Sequence, residues 1–285
     1  MKINRLLLVI FLFGLAPCQA QESRRHHEGL FPIVQDNRFG YIDQSGNIVI
    51  KPRFDGESRY IGEFEFSEGL AKVMIGQKLG YIDRSGQLVI KPQFDGAGQF
   101  SEGLAAVLID GKYGYIDKSG KVVITALFDG ARAFSEGVAL ASIDRTWGYI
   151  DRSGRFAIPP FFTPKVNDEG YTTFFIGSFC EGLAVVSGGF MDKSGKIVIK
   201  TDADYVDGFS EGLAAMRIKG IYKYGYVDKS GKVVIAPQFD LAATFSEGLA
   251  EIRINDKWGY IDKSGKVVIA PQFDLAYAFS EGLQK

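Results

Sequence analysis

The sequence contains few of the residues on which metal sites and catalytic triads commonly depend. Only two histidines and two cysteines occur among 285 residues. His26 and His27 are adjacent near the N-terminus, and Cys18 lies in an apolar leader, so the rest of the chain keeps only Cys180. One cysteine cannot form an intramolecular disulfide, and a Cys/His metal set needs more ligands. We therefore predict no metal site and no cofactor, and we interpret the histidines as part of a solvated tail.

The sequence also lacks an excess of charge of either sign. Its formal net charge is −1 and its pI is near 6.2, whereas a nucleic-acid-binding surface usually carries a basic excess. Outside the leader no segment keeps a 3.6-residue apolar period, so helix should be scarce. The 35 glycines, 23 phenylalanines and 13 tyrosines are typical of short strands separated by turns. These features predict an all-β protein that does not bind nucleic acid.

One apolar run stands apart from the rest of the chain. LLLVIFLFGLA, residues 6–16, follows the basic start MKINR and precedes PCQA. It is too short to span a membrane and is typical of a signal peptide cleaved after Ala20. Lipidation at Cys18 is the alternative, because LAPC resembles a lipoprotein box, although Pro17 fits that box poorly. We predict a signal peptide at 1–20, a tail at 21–27, export to the periplasm or cell surface, and no transmembrane segment in the mature chain.

An internal repeat occupies the remainder. GY(I/V)D begins at residues 40, 80, 114, 148, 225 and 259, with a degenerate GFMD at 189. EG(L/V) begins at residues 28, 68, 102, 136, 181, 211, 247 and 281. Such a period indicates one array of stacked units. Counting from one glutamate to the next predicts a single array over residues 28–285, with a short C-terminal tail after seven units: 28–67, 68–101, 102–135, 136–180, 181–210, 211–246 and 247–280.

The unit at residues 102–135 indicates what each repeat forms. LAAVLI, YGYID and KVVI are expected to be strands, and LFDGARAF either adds a fourth short edge strand or returns irregularly. DKSGK suits a type I turn in which Asp117 accepts a backbone hydrogen bond and Gly120 takes a positive φ. Phe128 and Phe134 are expected to fill the space between neighbouring units, because one short unit cannot bury its own apolar face.

The segment KWGYIDKSGKVVIAPQFDLAYAFSEGL, residues 257–283, closely resembles the bacterial WG repeat. The resemblance extends over residues 28–283, with the tryptophan kept at Trp147 and Trp258. It implies a tandem β-rich array and no particular activity. Seven whole units favour a closed ring like a seven-bladed propeller. An open β-solenoid is the alternative, because common propeller repeats have about 40–50 residues.

Motifs that resemble catalytic or metal-binding signatures are interpreted as structural. GFSEG at 208–212 matches a nucleophile elbow, but FSEG recurs in other units and the sequence around it has no histidine. TDADYVDG at 201–208 could offer carboxylates to calcium, yet it lacks the EF-hand glutamate and is better explained as a solvated acidic loop. The repeated Asp262 and Glu247 suit turns or caps better than a glycosidase pair, and Cys180 suits a small buried position. We predict no catalytic residue and no enzyme activity.

Residues that occur once are the candidates for recognition. The richest such segment is 161–178, whose possible binding residues are Phe161, Phe162, Tyr171, Phe174 and Phe175. The alternative is that these aromatic rings pack against adjacent units. Three functions are consistent with the sequence: an exported noncatalytic scaffold that binds an unknown protein, a carbohydrate- or cell-envelope-binding protein, and an unrecognised extracytoplasmic hydrolase.

Overall fold

The computed structural model describes residues 29–55, 64–166, 172–173 and 176–278. In these ranges the chain forms strands and turns and no α-helix, so the all-β prediction is confirmed. In the same ranges, no helix is long and apolar enough to span a bilayer. The leader at 1–20 and the tail at 21–27 lie outside the described residues.

The described structure contains 28 strands. The first half of the chain forms β1 (Leu30–Gln35), β2 (Arg38–Asp43), β3 (Ile48–Asp55), β4 (Ala71–Ile75), β5 (Lys78–Ile82), β6 (Leu88–Phe94), β7 (Gly96–Ala97), β8 (Leu104–Ile109), β9 (Lys112–Asp117), β10 (Val122–Phe128), β11 (Gly130–Ser135), β12 (Val138–Ile143), β13 (Thr146–Asp151) and β14 (Phe156–Phe162). The second half forms β15 (Lys165–Val166), β16 (Thr172–Thr173), β17 (Ile176–Cys180), β18 (Leu183–Val186), β19 (Gly189–Asp192), β20 (Ile197–Lys200), β21 (Ala203–Val206), β22 (Leu213–Ile218), β23 (Tyr224–Asp228), β24 (Val233–Phe239), β25 (Leu241–Ala242), β26 (Leu249–Ile254), β27 (Lys257–Asp262) and β28 (Val267–Phe273).

Consecutive strands pair antiparallel as a meander. The sheets comprise β1–β6, β7–β10, β11–β14, β17–β20, β21–β24 and β25–β28, and β15 with β16 forms a separate hairpin. In the six-stranded sheet, β3 and β4 are joined only through Asp55 and Met74. That sheet is therefore two repeats side by side, β1–β3 and β4–β6. We number the resulting seven unit sheets one to seven in chain order.

The first strand of each four-stranded unit sheet comes from the end of the preceding repeat. β11 belongs to the repeat at 102–135, yet it pairs with β12 of the next repeat, and Gly130 lies opposite Ser142. The segment LFDGARAF thus contributes a short edge strand, as one of the two alternatives predicted. That strand belongs to the sheet of the following repeat. This exchange joins consecutive repeats through backbone hydrogen bonds as well as through side-chain packing.

The hydrophobic core lies between unit sheets. Sheets three and four enclose the following buried side chains: Leu104, Ala106, Tyr115, Ile124, Phe128, Phe134, Ala139, Ala141 and Ile150. The rings of Tyr115 and Phe134 meet edge to face with their centroids 4.9 Å apart. The predicted placement of Phe128 and Phe134 between units is confirmed.

The preference for a closed ring is not confirmed. Within the described ranges, six buried clusters separate the seven unit sheets, whereas a ring of seven needs seven. Phe273 of sheet seven is 43% exposed, while the equivalent Phe239 of sheet six is 1% exposed. The described residues therefore form a β-repeat array whose last sheet has an uncovered face.

The turn between the second and third strands of each repeat has the predicted geometry. The backbone N–H groups of Ser119 and Lys121 donate to Asp117 Oδ1 at 2.9 and 3.1 Å, and the Gly120 N–H donates to the Asp117 carbonyl oxygen at 2.9 Å. The glycine has a φ of 86°. The following glycines at the same position also have positive φ, as predicted: Gly46, Gly86, Gly154, Gly195, Gly231 and Gly265.

Replacing Gly120 with valine is expected to lower the free energy of unfolding by about 1–3 kcal/mol through backbone strain. A further cost is expected because a Cβ at this position would lie 3.1 Å from Ile90 of the preceding unit. Gly46→Val is the matched control, since Gly46 has a φ of 81° and nothing within 4 Å of its Cβ position. Urea denaturation should show the larger loss for Gly120→Val. A Gly120→Val protein as stable as the parent would contradict the turn assignment.

Candidate functional site

The repeated serines link each unit to the next. Their hydroxyls donate at 2.6–2.7 Å to the carbonyl oxygen of a phenylalanine in the following unit, in the pairs Ser67 with Phe100, Ser101 with Phe134, Ser135 with Phe179 and Ser210 with Phe245. Ser210, which belongs to the GFSEG motif, is buried. Its hydroxyl is engaged in the same structural bond as the serines of other units. Cys180 occupies the equivalent position and is buried, as predicted for a small core residue.

The repeated glutamates also connect units. Glu68 adopts a φ of 53°, and its Oε2 accepts a hydrogen bond of 3.0 Å from the Gly103 N–H. The same oxygen lies 3.1 Å from Lys118 Nζ in the turn of the next unit. Four further glutamates make the equivalent bond to a glycine N–H: Glu102, Glu136, Glu181 and Glu211. These carboxylates are therefore engaged in inter-unit contacts.

The repeated aspartates organise the turns. Asp262 Oδ1 accepts bonds from the Ser264 N–H at 2.9 Å, the Ser264 hydroxyl at 2.6 Å and the Lys266 N–H at 3.1 Å. The hydrogen bond from the Ser264 hydroxyl is the main reason that the pKa of Asp262 is lowered. The interpretation of Asp262 as a turn residue is confirmed.

Some buried ionisable side chains do not repeat, and the motif search overlooked them. At the fifth residue of the unit, Lys72 and Glu251 replace an apolar residue, and both are buried. Lys72 Nζ lies 3.3 Å from the Ala97 carbonyl oxygen and 5.8 Å from the centre of the Phe64 ring. The signal that could have identified these residues is the interruption of an apolar repeat position by a charge.

Asp207, Tyr226 and Glu251 form what we call the acidic cluster. Burial raises the pKa of Asp207 to about 6, against the opposing effect of the Gly208 N–H, which donates to Asp207 Oδ1 at 2.8 Å. Burial and then the charges of Glu251 and Asp207 raise the pKa of Tyr226. Both carboxyl groups therefore lie within electrostatic reach of this phenol. Within this group, the Asp207 carboxyl can bind a proton near pH 6.

Asp207→Asn is expected to stabilise the protein at pH 7 and to have little effect at pH 4. The folded state raises the pKa of Asp207 from 3.8 to about 6, so the folded state binds this proton more tightly than the unfolded chain. The parent should therefore lose stability as the pH rises from about 4 to about 6, by up to about 3 kcal/mol. Asparagine has no such proton to lose. Chemical denaturation of the parent and of Asp207→Asn at pH 4 and pH 7 tests this prediction. The control is Asp202→Asn, an exposed-site variant whose free energy of unfolding should stay within about 0.5 kcal/mol of the parent. A stability difference that is the same at both pH values would contradict it.

The Asp204 carboxylate of TDADYVDG is engaged in an ion pair. Asp204 pairs with Arg217 through two hydrogen bonds, from Nε at 2.9 Å and from Nη2 at 3.1 Å. The segment includes strand β21 rather than being loop throughout. Among the described residues, no group of three His, Cys, Asp or Glu side chains is placed to hold a metal ion.

The structure separates the aromatic residues of segment 161–178. Phe161 is 47% exposed, and its ring stacks on Tyr149 with the centroids 6.4 Å apart. Phe162 is half-buried against the core between sheets four and five, as the packing alternative expects. Tyr171, Phe174 and Phe175 lie outside the described residues. In the same segment, the backbones of β15 and β16 pair antiparallel.

Comparisons with known proteins agree with the repeat structure. A family model described as "WG containing repeat" matches residues 39–78, 80–113, 113–146, 147–163, 189–222, 224–258 and 258–283. No curated protein sequence matches the chain.

Three solved structures are among those to which the chain is similar. The computationally designed Ika8 protein superposes with a TM-score of 0.51 at 12% identity, covering 85% of this chain and 86% of its own. Virginiamycin B lyase from Staphylococcus aureus is similar at 15% identity and a TM-score of 0.39, covering 85% and 94% of the two chains. AztD from Citrobacter koseri is similar at 13% identity and a TM-score of 0.38, covering 84% and 80%. At 12% identity, the likeness to Ika8 concerns the fold alone.

Proposed function

Because this chain belongs to the WG containing repeat family, a family of tandem β-repeats, we propose that it is an exported, noncatalytic scaffold that binds another macromolecule. The observation that supports this most directly is that the repeated polar side chains make hydrogen bonds within the array. The serines, glutamates and aspartates of the motifs bond to backbone groups of their own or the next unit. Side chains engaged in this way hold the array together and leave recognition to residues that occur once.

The recognition surface that we propose begins at Phe161. This residue occupies the same place in its repeat as Leu127 does in the preceding one, and both are exposed. Beyond Phe162, which occupies the place of Phe128, the chain leaves the repeat pattern, and β15 pairs with β16. An exposed aromatic ring next in sequence to a segment that does not repeat is a suitable anchor for a partner.

A carbohydrate or another cell-envelope component is the second candidate ligand. It is favoured by the exposed face of Phe161 over Tyr149, because an aromatic face can pack against the apolar face of a sugar ring. A panel of immobilised glycans distinguishes this ligand from a protein partner.

The test is a pulldown of partners, or of glycans, with the parent and three variants. Deleting residues 163–173 and replacing Phe161 with alanine should each reduce binding while the protein stays folded. Leu127→Ala should leave binding unchanged, because it removes an exposed side chain from the same position of another repeat. Full binding by a folded deletion variant would exclude this segment as the recognition site.

We also propose export, on the basis of the leader at residues 1–20. Mass spectrometry of protein from its native cell should find Gln21 at the N-terminus. An intact Met1 would contradict export by this route, and a diacylated Cys18 would instead place the protein on a membrane anchor.

A further inference from the structure

Every internal interface of the array has two different halves. Between sheets two and three, the earlier unit supplies the large side chains Tyr81, Ile90 and Phe94, and the later unit supplies Ala105, Val107 and Ile116. The turn glycine of the later unit also lies against the isoleucine of the earlier one. A Cβ on the following glycines would lie 2.6–3.3 Å from such an isoleucine: Gly86, Gly120, Gly154, Gly195, Gly231 and Gly265. We call the first half the end face and the second half the start face.

Sheet seven has an end face with no start face against it. Ile269 and Phe273 occupy the positions of Ile235 and Phe239, which are both buried in sheet six. In sheet seven Ile269 is half-buried and Phe273 is 43% exposed. The chain beyond them continues the apolar surface, with Leu275 at 61% and Tyr277 at 74% exposure.

Sheet one has the complementary start face, which is less buried than the equivalent faces inside the array. Ile33 and Ile42 are half-buried, although their counterparts Val107 and Ile116 are fully buried in sheet three. Gly46 is the turn glycine of this face, and nothing lies within 4 Å of its Cβ position. Among the described turn glycines at this position, it alone has no isoleucine against it.

Backbone pairing shows the same mismatch at the two ends. In sheet seven, Leu241 and Ala242 form the first strand and pair with Arg253 and Ile252. One repeat later, Leu275 and Ala276 have the same sequence but belong to no strand in the described structure. Within the described residues, sheet one has no corresponding first strand, since its order begins at β1. Leu275 and Ala276 therefore have the sequence of a first strand without a paired neighbour among the described residues, and sheet one has no first strand paired to β1 in the same residues.

We propose that the end face of one molecule binds the start face of a second copy of this chain, head to tail. Leu275 and Ala276 of one copy would pair with Val34 and Ile33 of the next, and Ile269 would meet Gly46. A second copy fits better than the same chain, because closure within one molecule would cover Phe273 and Gly46, and both are uncovered in the structure. Such a heterologous contact extends into chains of molecules unless it closes into a ring.

Two departures from the repeat make this contact weaker than the internal ones. Phe31 stands where the other six units have alanine, and Gln44 stands where they have lysine or arginine in the turn. The bulkier ring and the absent cation would both reduce the fit to an end face. We therefore expect an association that reverses on dilution.

The experiment blocks each face separately and then mixes the two variants. Sedimentation velocity of the parent should show a mass that rises from monomer to dimer and longer species with concentration. Phe273→Lys blocks the end face and Ile33→Lys the start face, because a buried lysine charge is costly. Each variant alone should weaken association at least about tenfold, and the 1:1 mixture should form a heterodimer that does not extend. Val234→Lys, at an exposed site on neither face, is the control and should associate like the parent.

A second measurement covers the case in which a lysine variant does not fold. Parent molecules labelled with a donor near the C-terminus are mixed with parent molecules labelled with an acceptor near the N-terminus, and energy transfer between them should increase with concentration. Transfer between two N-terminal labels would indicate an isologous contact and overturn the proposal. A parent that stays monomeric at every concentration would overturn it too and would favour closure within the chain.

Discussion

Replacing Phe134 with alanine should lower the free energy of unfolding by about 3–5 kcal/mol, the usual cost of removing a large ring from a core. Phe134 is fully buried between unit sheets three and four, and its ring contacts Tyr115 at a centroid distance of 4.9 Å. The loss affects two sheets at once, because the ring packs in their shared core. Chemical denaturation followed by circular dichroism measures it.

Leu127→Ala is the control for this change. Leu127 is exposed in the adjacent strand of the same repeat, so its removal should change stability by no more than about 0.5 kcal/mol. Phe134→Leu should recover part of the loss, since it restores apolar volume. Equal free energies of unfolding for Phe134→Ala and Leu127→Ala would contradict the conclusion that the core between sheets three and four stabilises the protein.

Gly114→Ala is expected to cost about 3 kcal/mol or more, because the added atom has no space. A Cβ on Gly114 would lie 2.6 Å from the Ile124 carbonyl oxygen and 2.7 Å from the Ala126 nitrogen. Both are backbone atoms of the next strand, so relieving the overlap requires that β9 and β10 separate. The same close approach occurs at Gly40, Gly80, Gly148, Gly225 and Gly259, which accounts for the glycine in the repeated GY(I/V)D motif.

Gly103→Ala is the matched control for Gly114→Ala. Gly103 has a φ of 78° and nothing within 4 Å of its Cβ position, so alanine there should cost about 1–2 kcal/mol from the left-handed conformation alone. Urea denaturation of both variants measures the loss in free energy of unfolding from steric overlap at Gly114 and from the left-handed backbone conformation at Gly103. A smaller loss at Gly114 than at Gly103 would contradict the close approach of the two strands.

The sequence was sufficient for the local structure of each repeat. The turn at Asp117–Gly120 could be predicted because its hydrogen bonds join residues at most four apart, as from Lys121 to Asp117. The strands on either side could be predicted from their short apolar runs bounded by glycine. The placement of Phe134 between units followed from the size of one repeat, which is too small to enclose a core.

The candidate site was predicted only in part. Phe161 and Phe162 were predicted to belong to a segment that does not repeat, but they occupy the places of Leu127 and Phe128 at the end of β14. The structure exposes the first and half-buries the second. Asp207 was interpreted as part of a solvated acidic loop, whereas burial raises its pKa, and Glu251 was not singled out. The significance of both residues depends on burial and on Tyr226, and the three lie far apart in sequence. A repeat search emphasises residues that recur, so it passes over single charges at otherwise apolar positions.

By itself, the sequence determined the period, the turn and the strands, since these depend on interactions within a few residues. Only the tertiary structure decided how the repeats join. It assigned β11 to the sheet of the following repeat, directed the carboxylate of Glu68 to Gly103 of the next unit, and left Phe273 uncovered at one end of the array. The physical reason is that each of these outcomes depends on how one unit is oriented on the next. Nearly identical repeats carry nearly identical local signals, so the number of interfaces and the fate of the two terminal faces are set by packing between units.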